Sequence, residues 1–216
     1  MGSFALDNVV QQVLLSTPAI LFGLTIHEFS HGWVAARLGD PTAKMMGRLT
    51  LNPLKHLDPI GTIALFLFRF GWAKPVPINP TNFRHPTRDM AISSMAGPGA
   101  NLATAAVAGI IMRVLLALGV SGFLLIVVQY FVLFNLILCF FNLIPIPPLD
   151  GSRLVYYFLS DKPDLAAGYA RLERYGFMIL LAIILIGNLT GFSILWMYMN
   201  PLIRLFSFIF VGRPIL

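Results

Sequence analysis

Long uninterrupted apolar runs are the feature that most constrains how this chain folds. Hydrophobic residues make up 57% of its 216 residues and charged residues only 11%, whereas soluble domains carry about a quarter charged residues. A helix that crosses a bilayer needs about 20 predominantly apolar residues. The sequence therefore predicts an integral membrane protein whose partner along most of its length is the lipid bilayer.

The apolar runs divide into five predicted spans. A further run, Ile60 to Trp72, is about 13 residues long and is predicted to be re-entrant, because it is too short to cross. Four prolines between Lys74 and Pro86 favour extended backbone, so 73–89 is predicted to be an extended arm. The fold class is thus an all-α polytopic membrane protein with a re-entrant segment and a short extended or β arm. The predicted spans are Val9 to Leu38, Met90 to Leu118, Phe123 to Ile144, and a final hairpin of about 172–186 and 192–210.

We interpret the whole chain, 1–216, as a single domain with a core of about 9–155 and a C-terminal helical hairpin of about 172–212. Five spans would put the two chain ends on opposite sides of the membrane. Fourteen of the 15 lysines and arginines then fall on one side, and only Arg113 lies toward the other. The positive-inside rule makes the basic side cytoplasmic and the N-terminus external, in what we expect to be a prokaryotic plasma membrane.

The same counts exclude two other classes of protein. The formal charge of +6 is a topology signal in a chain this apolar, so we expect no nucleic-acid partner. The one cysteine, Cys139, lies in an apolar run, which excludes a disulfide scaffold and indicates a packed small hydrophobic residue.

A metal-binding motif lies near the cytoplasmic end of the first span. His27 and His31 enclose Glu28 in the pattern H-E-x-x-H. Residues four apart share one helix face, so the two imidazoles can bind one tetrahedral metal, and Glu28 has the position of a general base. Zinc is the expected ion, because it accepts nitrogen and oxygen ligands and has no redox chemistry. Burying these groups unpaired in a span would cost several kcal/mol.

A catalytic zinc takes three protein ligands, so a third ligand is expected elsewhere. Asp150 follows Pro145, Pro147 and Pro148 where the third span meets the cytoplasmic face, and this position suits a ligand. Asp150 equally suits the N-cap of a helix that begins near Ser152. The residues alone leave both alternatives open. The other candidates on that side are His56, Asp58, His85 and Asp89.

Two separated motifs carry a resemblance to a known family. The sequence HEFSH on the first span, followed by Asn142, Pro145 and the Leu149–Gly151 tripeptide at matching spacing, resembles the site-2 protease family of intramembrane zinc metalloproteases. AGPGAN (Ala96 to Asn101) is similar to the family's intervening helix. The chain resembles compact members that have no PDZ or CBS domain.

The resemblance implies one zinc per chain, with His27, His31 and Asp150 as ligands and Glu28 as the catalytic base. It also implies a substrate that spans the membrane or is tethered to it. Asn142 is a candidate for stabilising the oxyanion or holding the substrate backbone, with a helix-to-helix hydrogen bond as the alternative. Asn101 is more simply interpreted as a packing residue.

Three functions are compatible with these residues. The leading hypothesis is an intramembrane zinc endopeptidase acting in regulated intramembrane proteolysis. The alternative is a catalytically inert zinc-binding scaffold or chaperone, which would not need Glu28. A metal transporter would carry polar residues along several helices across the whole bilayer, whereas here they cluster on one side. The oligomeric state is left open.

Overall fold

The computed structural model describes residues 2–61 and 71–215, with side chains from residue 13 onward. The predicted re-entrant segment therefore lies largely outside the described residues. Five helices are long and apolar enough to cross a membrane, which confirms the all-α polytopic prediction. The helices bounded within the described ranges are α1 (Gly2–Leu38), α2 (Thr42–Met45), α3 (Pro86–Ala117), α4 (Phe123–Asn142), α5 (Gly151–Leu159), α6 (Pro163–Thr190) and α7 (Ile194–Val211).

Two long helices begin earlier than the apolar pattern predicted. Helix α3 begins at Pro86 instead of Met90, and α6 begins at Pro163 instead of near residue 172. Proline suits the first helical position, because its fixed φ matches the helix and its missing N–H would be unpaired there anyway. The Asp89 carboxylate also accepts the backbone N–H of His85 at the start of α3. Polar first turns thus extend these helices beyond their apolar runs.

Helices α1, α3 and α4 form the bundle that carries the site. Gly23 lets α1 approach α4 closely, since a Cβ there would lie 2.7 Å from Leu138 Cδ1. The interior between α3, α4 and α7 is filled by fully buried apolar side chains, among them Met112, Leu136 and Ile203. Small residues at such crossings allow the close packing on which helix association in lipid depends.

Helix α7 runs in the same direction as α3. The Phe206 ring lies 5.2 Å from that of Phe140, near the end of α4. One turn later, Phe210 packs against Gly109 in the second half of α3, where a Cβ would lie 2.6 Å from Phe210 Cβ. Arg113 also donates a hydrogen bond to the Ile209 carbonyl. Helix α7 therefore ends where α3 ends and α1 begins.

The start of α6 and the direction of α7 both bear on the predicted topology. The Tyr169 hydroxyl donates to the Pro145 carbonyl at 3.0 Å, so α6 begins at the end of the bundle where α4 finishes. Helix α6 then continues for 28 residues, about 42 Å, before the short turn into α7. The direction of α7 favours termini on the same side of the membrane, whereas the apolar runs predicted opposite sides. The side that each terminus faces therefore stays a prediction.

The predicted extended arm lies against the end of α1. Lys74 N–H donates to the His56 carbonyl at 2.8 Å, and Asn79 N–H donates to the Asp40 carboxylate at 2.7 Å. As for β-bridges within the described chain, the arm forms one isolated antiparallel bridge, between Ala73 and Leu57. The arm is extended over most of 73–79 but forms no sheet within the described residues.

Candidate metal centre

Helix α1 presents His27 and His31 to α3 one turn apart. Their Nε2 atoms are 3.0 Å apart, and both residues are buried. The spacing of four residues puts both rings on the same face of the helix. Two imidazole nitrogens therefore point at a single location inside the bundle.

The structure brings Asp150 to this pair. Its Oδ2 lies 3.2 Å from His27 Nε2 and 3.3 Å from His31 Nε2. Asp150 occupies the N-cap position of α5, but its side chain makes no capping hydrogen bond. Its Oδ2 is buried and has no hydrogen-bond partner within the described chain. The carboxylate therefore faces the histidines instead of capping the helix.

Hydrogen bonds to the far side of each ring decide which nitrogens are free. His31 Nδ1 lies 2.8 Å from the Ser93 carbonyl, which can only accept. His27 Nδ1 lies 2.7 Å from Asn101 Oδ1, while Asn101 Nδ2 donates to the Gly23 carbonyl and to Asn135 Oδ1. Both rings thus carry their proton on Nδ1. Each Nε2 keeps a lone pair directed at the other and at the carboxylate.

This arrangement fits a cation. Two lone pairs 3.0 Å apart, with a carboxylate oxygen 3.2 and 3.3 Å away, repel unless a positive centre lies between them. Tetrahedral zinc with bonds of ~2.0–2.2 Å holds its ligand atoms about 3.3 Å or slightly more apart. Within the described part of the chain, this is the group of metal-ligating side chains that could hold an ion.

A glycine on α3 provides room for the centre. A Cβ at Gly97 would lie 2.4 Å from His31 Nε2 and 2.7 Å from His27 Nε2. These distances are too short for any side chain, so only glycine allows α3 to pass beside both imidazoles. The AGPGAN sequence thus supplies space at Gly97 and a hydrogen-bonding amide at Asn101.

Glu28 lies on the neighbouring face of α1 and is held by the arm. Its Oε2 accepts the backbone N–H of Val76 at 2.8 Å, and only 9% of the residue is exposed. Val76 in turn packs on Gly32, where a Cβ would lie 3.0 Å from Val76 Cγ1. The arm therefore crosses α1 beside the predicted base and orients its carboxylate.

The remaining candidate ligands lie in other interactions. His56 Nε2 donates to the Thr50 carbonyl at 2.8 Å, and Asp58 accepts Gly61 N–H at 2.8 Å. Asp89 pairs with Arg88 at 3.1 Å, and His85 is exposed. None of these side chains belongs to the metal-ligating group found among the described residues.

Asn142, the predicted oxyanion or substrate group, donates its amide to the Leu138 carbonyl in its own helix at 3.0 Å. Its predicted role is therefore not tested by this geometry, and it remains a prediction.

Sequence reasoning missed three groups that shape the site. These are the Ser93 carbonyl, the side chain of Asn135 and the backbone N–H of Val76. A signal existed for Asn135 and for Asn101, because an amide within an apolar span is costly unless a partner satisfies it. Backbone groups leave no sequence signal, so Ser93 and Val76 could only be found from the structure.

Comparisons with known proteins indicate a zinc metalloprotease. Residues 107–187 match the model of Peptidase family M50, a segment that includes Asp150 but neither histidine. The chain is 38% identical over 207 residues to "Putative zinc metalloprotease YwhC" of Bacillus subtilis, covering 91% of this chain and 92% of that protein. It is 29% identical over 174 residues to "Putative zinc metalloprotease Rip2" of Mycolicibacterium smegmatis, covering 76% and 64% respectively. No solved structure matches the chain.

The apolar helices and the buried two-histidine, one-carboxylate centre define a membrane-embedded metallohydrolase. The chain belongs to peptidase family M50, the site-2 protease family, as the resemblance predicted. It is a multi-pass membrane zinc metalloprotease, and Zn²⁺ is its cofactor.

Proposed function

We propose that this chain is an intramembrane endopeptidase that cuts membrane-spanning or membrane-tethered proteins, as in regulated intramembrane proteolysis. His27, His31 and Asp150 hold one zinc ion, and Glu28 is the catalytic base. The single observation that carries the proposal is the convergence of three ligand atoms within 3.3 Å of one another, beside a carboxylate held by the arm.

Zinc, when bound, supplies a Lewis acid that polarises the scissile carbonyl and lowers the pKa of water toward ~7. Val76 N–H fixes Glu28 Oε2, and the other oxygen, Oε1, takes the proton from the attacking water. Glu28 then gives this proton to the nitrogen of the leaving amine. Asn101 and Ser93 keep the two imidazoles in the tautomer that leaves Nε2 free. Asn142 is proposed to turn toward the substrate and donate its amide to the oxyanion or the substrate backbone.

The substrate has to present an unwound segment, because a helix in lipid already uses its backbone hydrogen bonds. The arm supports this step, since it is extended beside Glu28. We propose that backbone groups of the 74–86 segment pair with the unwound substrate by strand addition. The arm thus has two tasks, which are orienting the base and aligning the peptide.

We propose that the whole chain works as one protease domain, with the site near the cytoplasmic face of the cell membrane and the N-terminus outside. The lysines and arginines of the 37–88 region and of 153–174 support this orientation, because they lie with the site. The orientation gives water a short path to the zinc.

The decisive experiment compares variants of the purified protein in lipid. Zinc content and cleavage of a model transmembrane peptide are measured for wild type, Glu28→Gln, His27→Ala and Asp150→Asn. We expect Glu28→Gln to keep about one zinc per chain and to lose cleavage by at least 10²-fold. The His27 and Asp150 variants should lose both zinc and cleavage.

Asp161→Asn is the matched control for Asp150→Asn, because Asp161 is exposed in the turn after α5. It should keep zinc and cleavage. Wild-type cleavage by Glu28→Gln would refute the assigned base. Full zinc occupancy in Asp150→Asn would refute the third ligand, whatever the activity.

A further inference from the structure

The segment that leads from the last two residues of α2 toward the arm exposes large apolar side chains next to basic ones. It runs from Lys44 to Lys55 and is called the 44–55 loop here. Both terminal lysines are exposed. Four of its apolar residues have exposed fractions of 60% or more: Met45 at 79%, Met46 at 64%, Leu51 at 60% and Leu54 at 73%. A patch of large apolar side chains exposed to water is energetically unfavourable, and such patches usually mark a site that binds protein or membrane.

The loop lies beside α1 and not beyond its end. A Cβ at Gly32 would lie 3.1 Å from Ala43 Cβ and 3.4 Å from Leu49 Cδ1. Gly32 precedes the end of α1 by six residues, or about 9 Å along the helix. The loop therefore folds back to the depth of a helix turn that is still within the candidate span.

Trp33 also indicates that this end of α1 lies at the level of the membrane interface. Trp33 follows Gly32, is 44% exposed, and has the Arg37 guanidinium 4.7 Å from its ring centroid. Tryptophan is enriched at the boundary between acyl chains and headgroups, and arginine beside it reaches toward the headgroups. The end of α1 and the loop packed on it thus share the level of the membrane interface.

We propose that the 44–55 loop is seated in the lipid interface. Its four exposed apolar side chains enter the boundary between acyl chains and headgroups, and Lys44 and Lys55 bind anionic headgroups. Apolar burial together with basic flanks is the combination that holds amphipathic segments in anionic membranes. Each lysine near an anionic surface adds an attraction that neutral lipid does not provide.

Binding of the 44–55 loop to the lipid interface would affect the candidate metal centre. Arg48 points from the same loop to the arm, where its Nη2 donates to the carbonyls of Lys74 at 2.8 Å and Pro75 at 3.3 Å. The arm then donates Val76 N–H to Glu28. Lipid that holds the loop therefore also steadies the arm. This effect on the arm rests on the proposed role of Glu28, whereas the interfacial position of the 44–55 loop does not.

Depth-dependent fluorescence quenching tests the position of the 44–55 loop in the lipid interface without any assay of cleavage. Met46→Cys and Leu54→Cys are labelled with a fluorophore in vesicles that contain phosphatidylglycerol with brominated acyl chains. Cys139 is 1% exposed, and labelled wild type measures its background. Val107→Cys, at an exposed mid-α3 position, gives the acyl-chain reference, and Asp161→Cys gives the aqueous reference. We expect both loop positions to be quenched well above Asp161→Cys.

The charge contribution is tested with Lys44→Gln combined with Lys55→Gln. Labelled Met46→Cys should be quenched more in phosphatidylglycerol vesicles than in phosphatidylcholine vesicles, and the double substitution should abolish that excess. Arg174→Gln, an exposed basic position on α6, should leave it intact.

Quenching at Met46 and Leu54 equal to that at Asp161 would overturn the proposal. Shielding from an aqueous quencher without quenching by brominated lipid would overturn it too, because it would indicate a protein partner.

Discussion

Asn101 Oδ1 lies 2.7 Å from His27 Nδ1, and this contact joins α3 to the candidate metal centre. The two donor hydrogens of the same amide are used by the Gly23 carbonyl on α1 and by Asn135 on α4. One buried side chain thus ties together three helices and fixes the tautomer of one imidazole. The packing interpretation of Asn101 was therefore incomplete.

Replacing Asn101 should weaken metal binding. Asn101→Ala removes the acceptor of the His27 Nδ1 proton and leaves that ring free to change tautomer. Loss of such an outer partner typically reduces metal affinity by ~10–100-fold, and we expect a reduction of that size in competition with a zinc chelator. Thr104→Ala is the control, because Thr104 bonds only within its own helix to the Ala100 carbonyl. An unchanged zinc affinity in Asn101→Ala would contradict the tautomer argument.

Two glycines on α3 should respond in opposite ways to the same change. Gly97→Ala puts a methyl group 2.4 Å from His31 Nε2, so we expect loss of bound zinc and of cleavage. Gly99→Ala meets nothing within 4 Å and should leave both unchanged. Metal content by mass spectrometry and thermal unfolding in detergent measure the outcome. A Gly97→Ala protein that is folded and fully zinc-loaded would show that α3 does not confine the centre.

Asp40 should make stability depend on pH. Burial alone would raise the pKa of Asp40, but hydrogen bonds from Thr42, Asn82 and Asn79 outweigh it and hold the pKa below its ordinary value. The unfolded chain then binds a proton more readily than the folded chain as the pH falls. The stabilisation is present above the ordinary carboxyl pKa and is lost as the pH drops through the lowered one.

We therefore expect the free energy of unfolding of wild type to fall more steeply below about pH 5 than that of Asp40→Asn. At neutral pH, Asp40→Asn should be less stable by about 1–3 kcal/mol, because its amide cannot accept the same set of donors. Thermal unfolding in detergent across the acid range measures both effects. Asp161→Asn, an exposed change, should follow wild type at every pH. Parallel pH curves for wild type and Asp40→Asn would contradict this role of Asp40.

The direction of α7 predicts where the C-terminus lies. Because Phe210 packs on Gly109 and Arg113 bonds the Ile209 carbonyl, the end of α7 should face the same side as the α3–α4 turn. A reporter fused after Leu216 should match one inserted at Ser121 and should lie opposite one inserted at Asp161. Agreement of the C-terminal reporter with the Asp161 reporter would contradict the observed direction.

The linear sequence determined what is local or additive in this protein. Apolar run length determines which helices can cross a membrane, and the spacing of four residues puts His27 and His31 on one helix face. The prolines at residues 75 and 77 likewise favour the extended backbone of the arm, since each removes a backbone donor and fixes φ. These features need no partner elsewhere in the chain.

Only the tertiary structure decided the relationships between distant segments. It resolved the two uses of Asp150, which lies more than a hundred residues from His31, by directing its carboxylate to both imidazoles and away from α5. It also decided the direction of α7, the tautomers of His27 and His31, and the hold of Val76 on Glu28. The physical reason is that these depend on which backbones approach one another, and close approach is set by packing around residues such as Gly97 and Gly109.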